Sequence, residues 1–231
     1  MTQRRLLVTG ASQGIGAALV EQARSAGHQV AFTGRDRSRI EALAARTGAH
    51  GLVADVTSGD DNQRTVDEAV SRMGGVDVLV NNAGYAYRAE IGSLDLAAMR
   101  EMFDTNVFGM VDLTNRVVPH LVAQAFGDIV NIASTSGMKG AATGTAYSGS
   151  KWAVRGITQC WQAELRPHNI RVCSICPSEV QTNFGGRAGR NNPNKLFASD
   201  IAATILAGIS LPQRVLWTEL AIFATNPWKE D

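Results

Sequence analysis

Short apolar runs alternate along the chain with stretches whose apolar positions recur every three or four residues, and this alternation predicts the elements. "RRLLVT" (4–9) reads as a first strand that stops at Gly10. "GIGAALVEQARSAG" (14–27) follows with helical spacing at Ile15, Leu19, Ala23 and Ala26, and Gly27 closes it as a C-terminal cap. "HQVAFTG" (28–34) is a second strand, followed by a polar helix near 37–47. "AHGLVADV" (49–56) is a third strand, and Ser58 can cap the next helix, which runs to about Met73. "VDVLVNNAG" (76–84) is a fourth strand, and a long helical stretch at roughly 95–123 carries Pro119 near its end. "GDIVNIAS" (127–134) is a fifth strand, "TAYSGSKWAVRGITQCWQAEL" (145–165) a helix and "IRVCSIC" (170–176) a sixth strand. A last strand lies near 215–223.

Strands that alternate with helices imply right-handed crossovers and a mostly parallel sheet. The strands are near-continuously apolar, as burial on both faces requires. The expected fold class is therefore α/β: a doubly wound, mostly parallel sheet of the Rossmann type, with seven strands and helices on both faces. A chain of 231 residues fits one domain, 1–231. Such folds bind ligands at the carboxyl ends of their strands, and the candidate chemistry below falls there or on the helix beside one.

Composition narrows the function. Hydrophobic residues make up 45% and charged residues 19%, and the net charge is +1, which gives no general case for nucleic acid or a membrane surface as partner. Leu6, Leu7 and Val8 before Gly10 are too short a run for a signal peptide, and no apolar run nears the ~18 residues of a spanning helix. A cytoplasmic location is expected. Of three cysteines, Cys173 and Cys176 form a C-x-x-C inside the sixth strand, where residues three apart point to opposite faces. They read as core cysteines, and no metal site is expected.

"TGASQGIG" (9–16) joins the first strand to its helix, with Gly10, Gly14 and Gly16 at the turn. Glycines let the main chain approach a pyrophosphate closely, and a helix N-terminus favours its charge. The same spacing also fits a plain tight turn. In order along the chain, "TGASQGIG", "NNAG" (81–84), Asn106, Ser134 and "YSGSK" (147–151) resemble the short-chain dehydrogenase/reductase family. The resemblance is weakest beyond about residue 180.

The chemistry of such a site explains the residue types. Reducing a ketone needs a hydride on carbon and a proton on oxygen. Free tyrosine, with a pKa of about 10, is a poor acid–base group near neutrality unless a nearby cation favours its phenolate. Lys151 lies one helical turn from Tyr147, displaced by ~6 Å along the axis, although any exposed helix face can carry the pair. The resemblance implies catalytic roles for Ser134, Tyr147, Lys151 and Asn106. Ser134 lies thirteen residues before Tyr147, the family's spacing, and is favoured over Ser136. It would hydrogen-bond the substrate oxygen, Lys151 would also hold the nicotinamide ribose, and Asn106 would hold a water in a proton relay. The same resemblance implies cofactor contacts at Gly10, Ser12, Gln13, Gly14, Ile15 and Gly16, at Asp55 and Val56, and at Asn82, Ala83 and Gly84. It implies further contacts at Tyr147 and Lys151, and at Pro177, Val180 and Thr182. After the sixth strand the usual Pro-Gly is here Pro177-Ser178.

After the second strand an acid would grip the ribose of NAD, whereas an arginine would pair with the 2′-phosphate of NADP. Arg35 follows Gly34, so NADP (NADPH) is expected in preference to NAD, although Asp36 is one residue away and Gln13 stands where many NADP users carry a basic residue. "GGRAGRNNPNK" (185–195) suggests a substrate lid near 183–198, and its Arg187, Arg190 and Lys195 suit either an acidic substrate or plain solvation. The expected activity is NADP-dependent carbonyl reduction or alcohol oxidation on a small molecule. The alternatives are a 3-oxoacyl-carrier-protein reductase and a non-catalytic NADP-sensing regulator. The family implies a homo-oligomer, dimer or tetramer, with Trp152, Trp161 and apolar residues of 95–123 as candidate interface.

Overall fold

The computed structural model describes residues 2–184 and 192–228. Strands β1 (Arg5–Val8), β2 (Gln29–Gly34), β3 (His50–Val53), β4 (Val78–Asn81), β5 (Gly127–Ile132) and β6 (Ile170–Pro177) alternate with helices, and β9 (Glu219–Ile222) comes last. These seven form one parallel sheet in the order β3-β2-β1-β4-β5-β6-β9. The order reverses between β1 and β4, so the crevice outside their carboxyl ends is the natural ligand site.

The helices are α1 (Gly14–Ser25), α2 (Arg37–Thr47), α3 (Gly59–Met73), α4 (Leu96–Phe103), α5 (Gly109–Gln124), α6 (Thr145–Leu165) and α7 (Ala198–Ser210). Alternate strand residues go to opposite faces. Leu6, Val8, Val30 and Phe32 pack with Leu19, Val20 and Ile205 on one side. Leu7, Ala31, Leu79 and Ile129 pack with Val66, Leu113 and Val117 on the other. Cys173 joins the first of these cores and Cys176 a separate cluster with Val107 and Val154, so the two thiols face apart and stay free. Ser58 caps α3, its side chain accepting from Asp61 N.

Three features depart from the sequence pattern. The long helix expected over 95–123 is two helices joined by a π-turn at Asp104–Phe108, which carries Asn106. An additional helix, α7, packs against α1. Short strands β7 (Val180–Gln181) and β8 (Leu196–Phe197) pair in parallel across the base of the expected lid. Arg187 and Arg190 of that segment lie outside the described residues. Lys195 is described and pairs with Glu179 at 3.0 Å. Among the described residues, no helix is long and apolar enough to cross a membrane, and no cluster of side chains could hold a metal ion.

Candidate active site

The turn after β1 is forced close to the end of β4. Gly10 has φ +62°, and a Cβ there would lie 2.6 Å from Ala83 Cα. At Gly16 a Cβ would lie 2.7 Å from both Ala11 Cα and Asn82 Nδ2. The glycines therefore let two strand ends meet. Asn82 fastens them, donating to the carbonyls of Thr9 and Gly10, while Thr9 Oγ1 accepts from Asn82 N and Ala83 N. Gln13 stands at the N-cap of α1 without a side-chain cap, so first-turn N–H groups of α1 are left for an anion.

A cleft with a cavity volume of about 160 Å³, open to solvent, lies over these ends. Gly10, Gln13, Gly14 and Ile15 line one side, and Asn82 and Gly84 its floor. Ser134, Tyr147 and Lys151 line it from β5 and α6, and Pro177, Val180 and Thr182 from beyond β6. Ile132 and Ala133, which sequence spacing did not mark, also line it, as do Ser178, the departure from Pro-Gly, and Asn183 and Phe184 at the start of the expected lid. The glycine turn and the uncapped end of α1 on its wall are placed for a pyrophosphate.

The other expected residues stand outside the cleft wall. Gly16 is packed below it, Ser12 lies against Gly34, and Ala83 and Val56 line a smaller cavity behind it, with Asn106. Arg35 is exposed and approaches Asp55 at 3.9 Å. Asp36 is engaged elsewhere: one oxygen caps α2 through Arg39 N at 3.1 Å and the other pairs with Arg39 Nε at 3.1 Å. Arg39 also donates to Gln13 Oε1.

Asn106 is held rigidly. Its Nδ2 donates to Tyr85 O at 3.0 Å and Ser150 Oγ at 3.1 Å, and its Oδ1 accepts from Tyr85 N at 3.0 Å. Both amide hydrogens are engaged, which leaves the side chain no donor for a further ligand.

Tyr147 and Lys151 are both buried, at 7% and 5% exposure, which removes them from a solvated helix face. Burial pushes the Tyr147 phenol above its ordinary value, while the neighbouring Ser134 hydroxyl and the Arg88 guanidinium pull it back. Burial lowers the Lys151 ammonium to about 8. Lys151 Nζ donates to Ile132 O at 2.8 Å and lies 5.9 Å from the centre of the Tyr147 ring. Two cations therefore face the phenol ring: Lys151, tied to the end of β5, and Arg88, 5.3 Å from the ring centre. Sequence spacing carried no signal for Arg88, which arrives from a loop after β4.

Residues 4–193 match the family model described as short chain dehydrogenase. An uncharacterised oxidoreductase of Staphylococcus saprophyticus is 35% identical, covering 94% of this chain and 95% of the relative. Among solved structures, a closed serine dehydrogenase complexed with NADP+ is 29% identical with a TM-score of 0.89, covering 94% of this chain and 93% of the other. A 3-ketoacyl-(acyl-carrier-protein) reductase from Brucella melitensis, complexed with NADH, is 25% identical with a TM-score of 0.87, covering 96% and 97%.

Proposed function

The chain belongs to the short-chain dehydrogenase family and is an NAD(P)-dependent oxidoreductase, and from this we propose that it is an NADP-dependent carbonyl reductase that works reversibly on a small carbonyl or alcohol. The observation that carries the reading is the meeting of Ser134, Tyr147 and Lys151 in one cleft with the glycine turn. When bound, the nicotinamide supplies the hydride. Ser134 then steadies the substrate oxygen as charge develops on it, and Tyr147 gives that oxygen its proton. Lys151 holds the ribose, and Asn106 anchors a water through which Tyr147 is reprotonated.

Two facts about the end of β2 support NADP. The Arg35 side chain is 70% exposed and held only by a long, 3.9 Å contact with Asp55, which a phosphate can displace. The Asp36 carboxylate, which would otherwise grip a ribose diol, is held by Arg39. The complexes of the two solved relatives divide between NADP+ and NADH, so the preference rests on these side chains.

A second reading, a 3-oxoacyl-carrier-protein reductase, draws on the likeness to the Brucella melitensis protein. A turnover panel of small ketones, alcohols and 3-oxoacyl thioesters, run with both cofactors, tests the proposal. The expected result is reduction of free ketones, preference for NADPH, and loss of that preference in Arg35→Ala. Absence of turnover on every carbonyl would leave a nucleotide-sensing protein, and activity confined to the thioesters would favour the second reading.

A further inference from the structure

The loop after β4 is pinned along its length. Tyr85 is held in both directions by Asn106, Tyr87 N donates to Met102 Sδ at 3.3 Å, and Tyr87 Oη accepts from Asp95 N at 2.9 Å. Ala89 N bonds Thr143 O at 3.1 Å, two residues before α6 begins. Between those anchors sits Arg88, whose guanidinium is 5.3 Å from the centre of the Tyr147 ring. Among the described residues it has no carboxylate partner. Phe184 reaches the same ring, centre to centre 5.9 Å, tilted by 57°. The Tyr147 ring is thus met by the Phe184 ring, which lines the cleft, and by the Arg88 guanidinium.

We propose that Arg88 is a substrate-binding residue for a carboxylate, and that the substrate is an oxo acid or hydroxy acid whose acid group lies one or two carbons from the reacting centre. This rests on the reductase reading above. One planar guanidinium matches one carboxylate through two parallel hydrogen bonds, which fixes orientation as well as charge. Holding the acid group at Arg88 would turn the carbonyl oxygen toward Ser134 and Tyr147. In the reaction the carbonyl carbon gains a hydride, its oxygen gains the Tyr147 proton, and the nicotinamide is oxidised. The carboxylate is unchanged and serves as a handle.

Acetoacetate and methyl acetoacetate, which differ in that charge, provide the test in wild-type protein, Arg88→Ala and Arg88→Lys. Arg88→Ala is expected to lower kcat/KM for acetoacetate at least about tenfold more than for the ester, mainly through KM, with partial recovery in Arg88→Lys. Calorimetry on the NADP+ complex is expected to show acetoacetate binding that Arg88→Ala abolishes, a readout independent of turnover. Equal losses for acid and ester overturn the proposal, because Arg88 would then act through Tyr147. So does a protein that reduces neutral ketones but neither binds nor reduces acetoacetate. A protein that turns over no carbonyl yet binds acetoacetate in an Arg88-dependent way fails the reductase reading and upholds the carboxylate site.

Discussion

Tyr147 and Lys151 share a helix face, but burial separates their behaviour. The phenol is raised by desolvation, so it is a proton donor until substrate, cofactor and Ser134 make its anion tolerable. Tyr147→Phe is expected to cut turnover by about 10²- to 10⁴-fold while NADPH titration by fluorescence shows nearly unchanged affinity, since the nucleotide is held mainly by the glycine turn, Arg35 and Lys151. A variant that kept a tenth of wild-type turnover would remove Tyr147 from the chemistry. Lys151 titrates near 8, well below the 10.5 of a free amine. Its ammonium is complete below that value and lost above it, so kcat/KM for NADPH is expected to be flat at neutral pH and to fall as pH rises through about 8. The sign for stability is opposite: between about 8 and 10.5 the unfolded chain holds the extra proton, so this lysine's contribution to stability rises with pH there. Lys151→Arg stays charged, and its alkaline fall should move upward on a lower plateau. An unmoved alkaline limb would assign that titration to another group.

At the scale of elements, α6 is fastened to the sheet by polar groups in a dry interior. Asn81 Nδ2 donates to Asn131 Oδ1 at 2.8 Å, Asn131 Nδ2 donates to Thr158 Oγ1 at 2.9 Å, and Thr158 Oγ1 donates to Val154 O at 2.7 Å. This ladder links β4, β5 and the helix that carries Tyr147 and Lys151. Thr158→Val keeps the shape but strands the buried Asn131 amide, so urea unfolding should show about 1–3 kcal/mol lost with the slope unchanged. No loss would mean the ladder is dispensable. The sequence foretold α6 and α3 well because their ends carry local signals: apolar period through Leu165, and Ser58 as a cap. It missed the π-turn because one inserted residue hardly disturbs a 3.6-residue period. In α7 the spacing of Ile201, Ile205 and Ile209 was available, but it follows a Gly- and Asn-rich stretch and drew no assignment. The positions of Ser134, Tyr147 and Lys151 were legible from spacing along adjoining elements. Arg88 was not, since its approach to Tyr147 depends on where Thr143 and Asn106 hold a loop far before the helix in sequence.

For the molecule as a whole, the large apolar side chains exposed among the described residues include two groups that could carry association. Phe108, in the π-turn, is 62% exposed, and Trp152 on α6 is 51% exposed. At the open edge of the sheet, Leu220 on β9 is 40% exposed, and Phe223 and Trp228 just beyond it are 63% and 84% exposed. Edge strands with exposed apolar residues are association sites unless covered. Two different self-complementary patches each generate a two-fold contact, and together they close a tetramer. We therefore expect a homotetramer by light scattering. Phe108→Arg and Phe223→Arg should each halve it to a dimer, and the double variant should be a monomer. A wild-type protein that scatters as a monomer at micromolar concentration would show that both patches face solvent. A dimer abolished by one substitution and indifferent to the other would leave a single working interface.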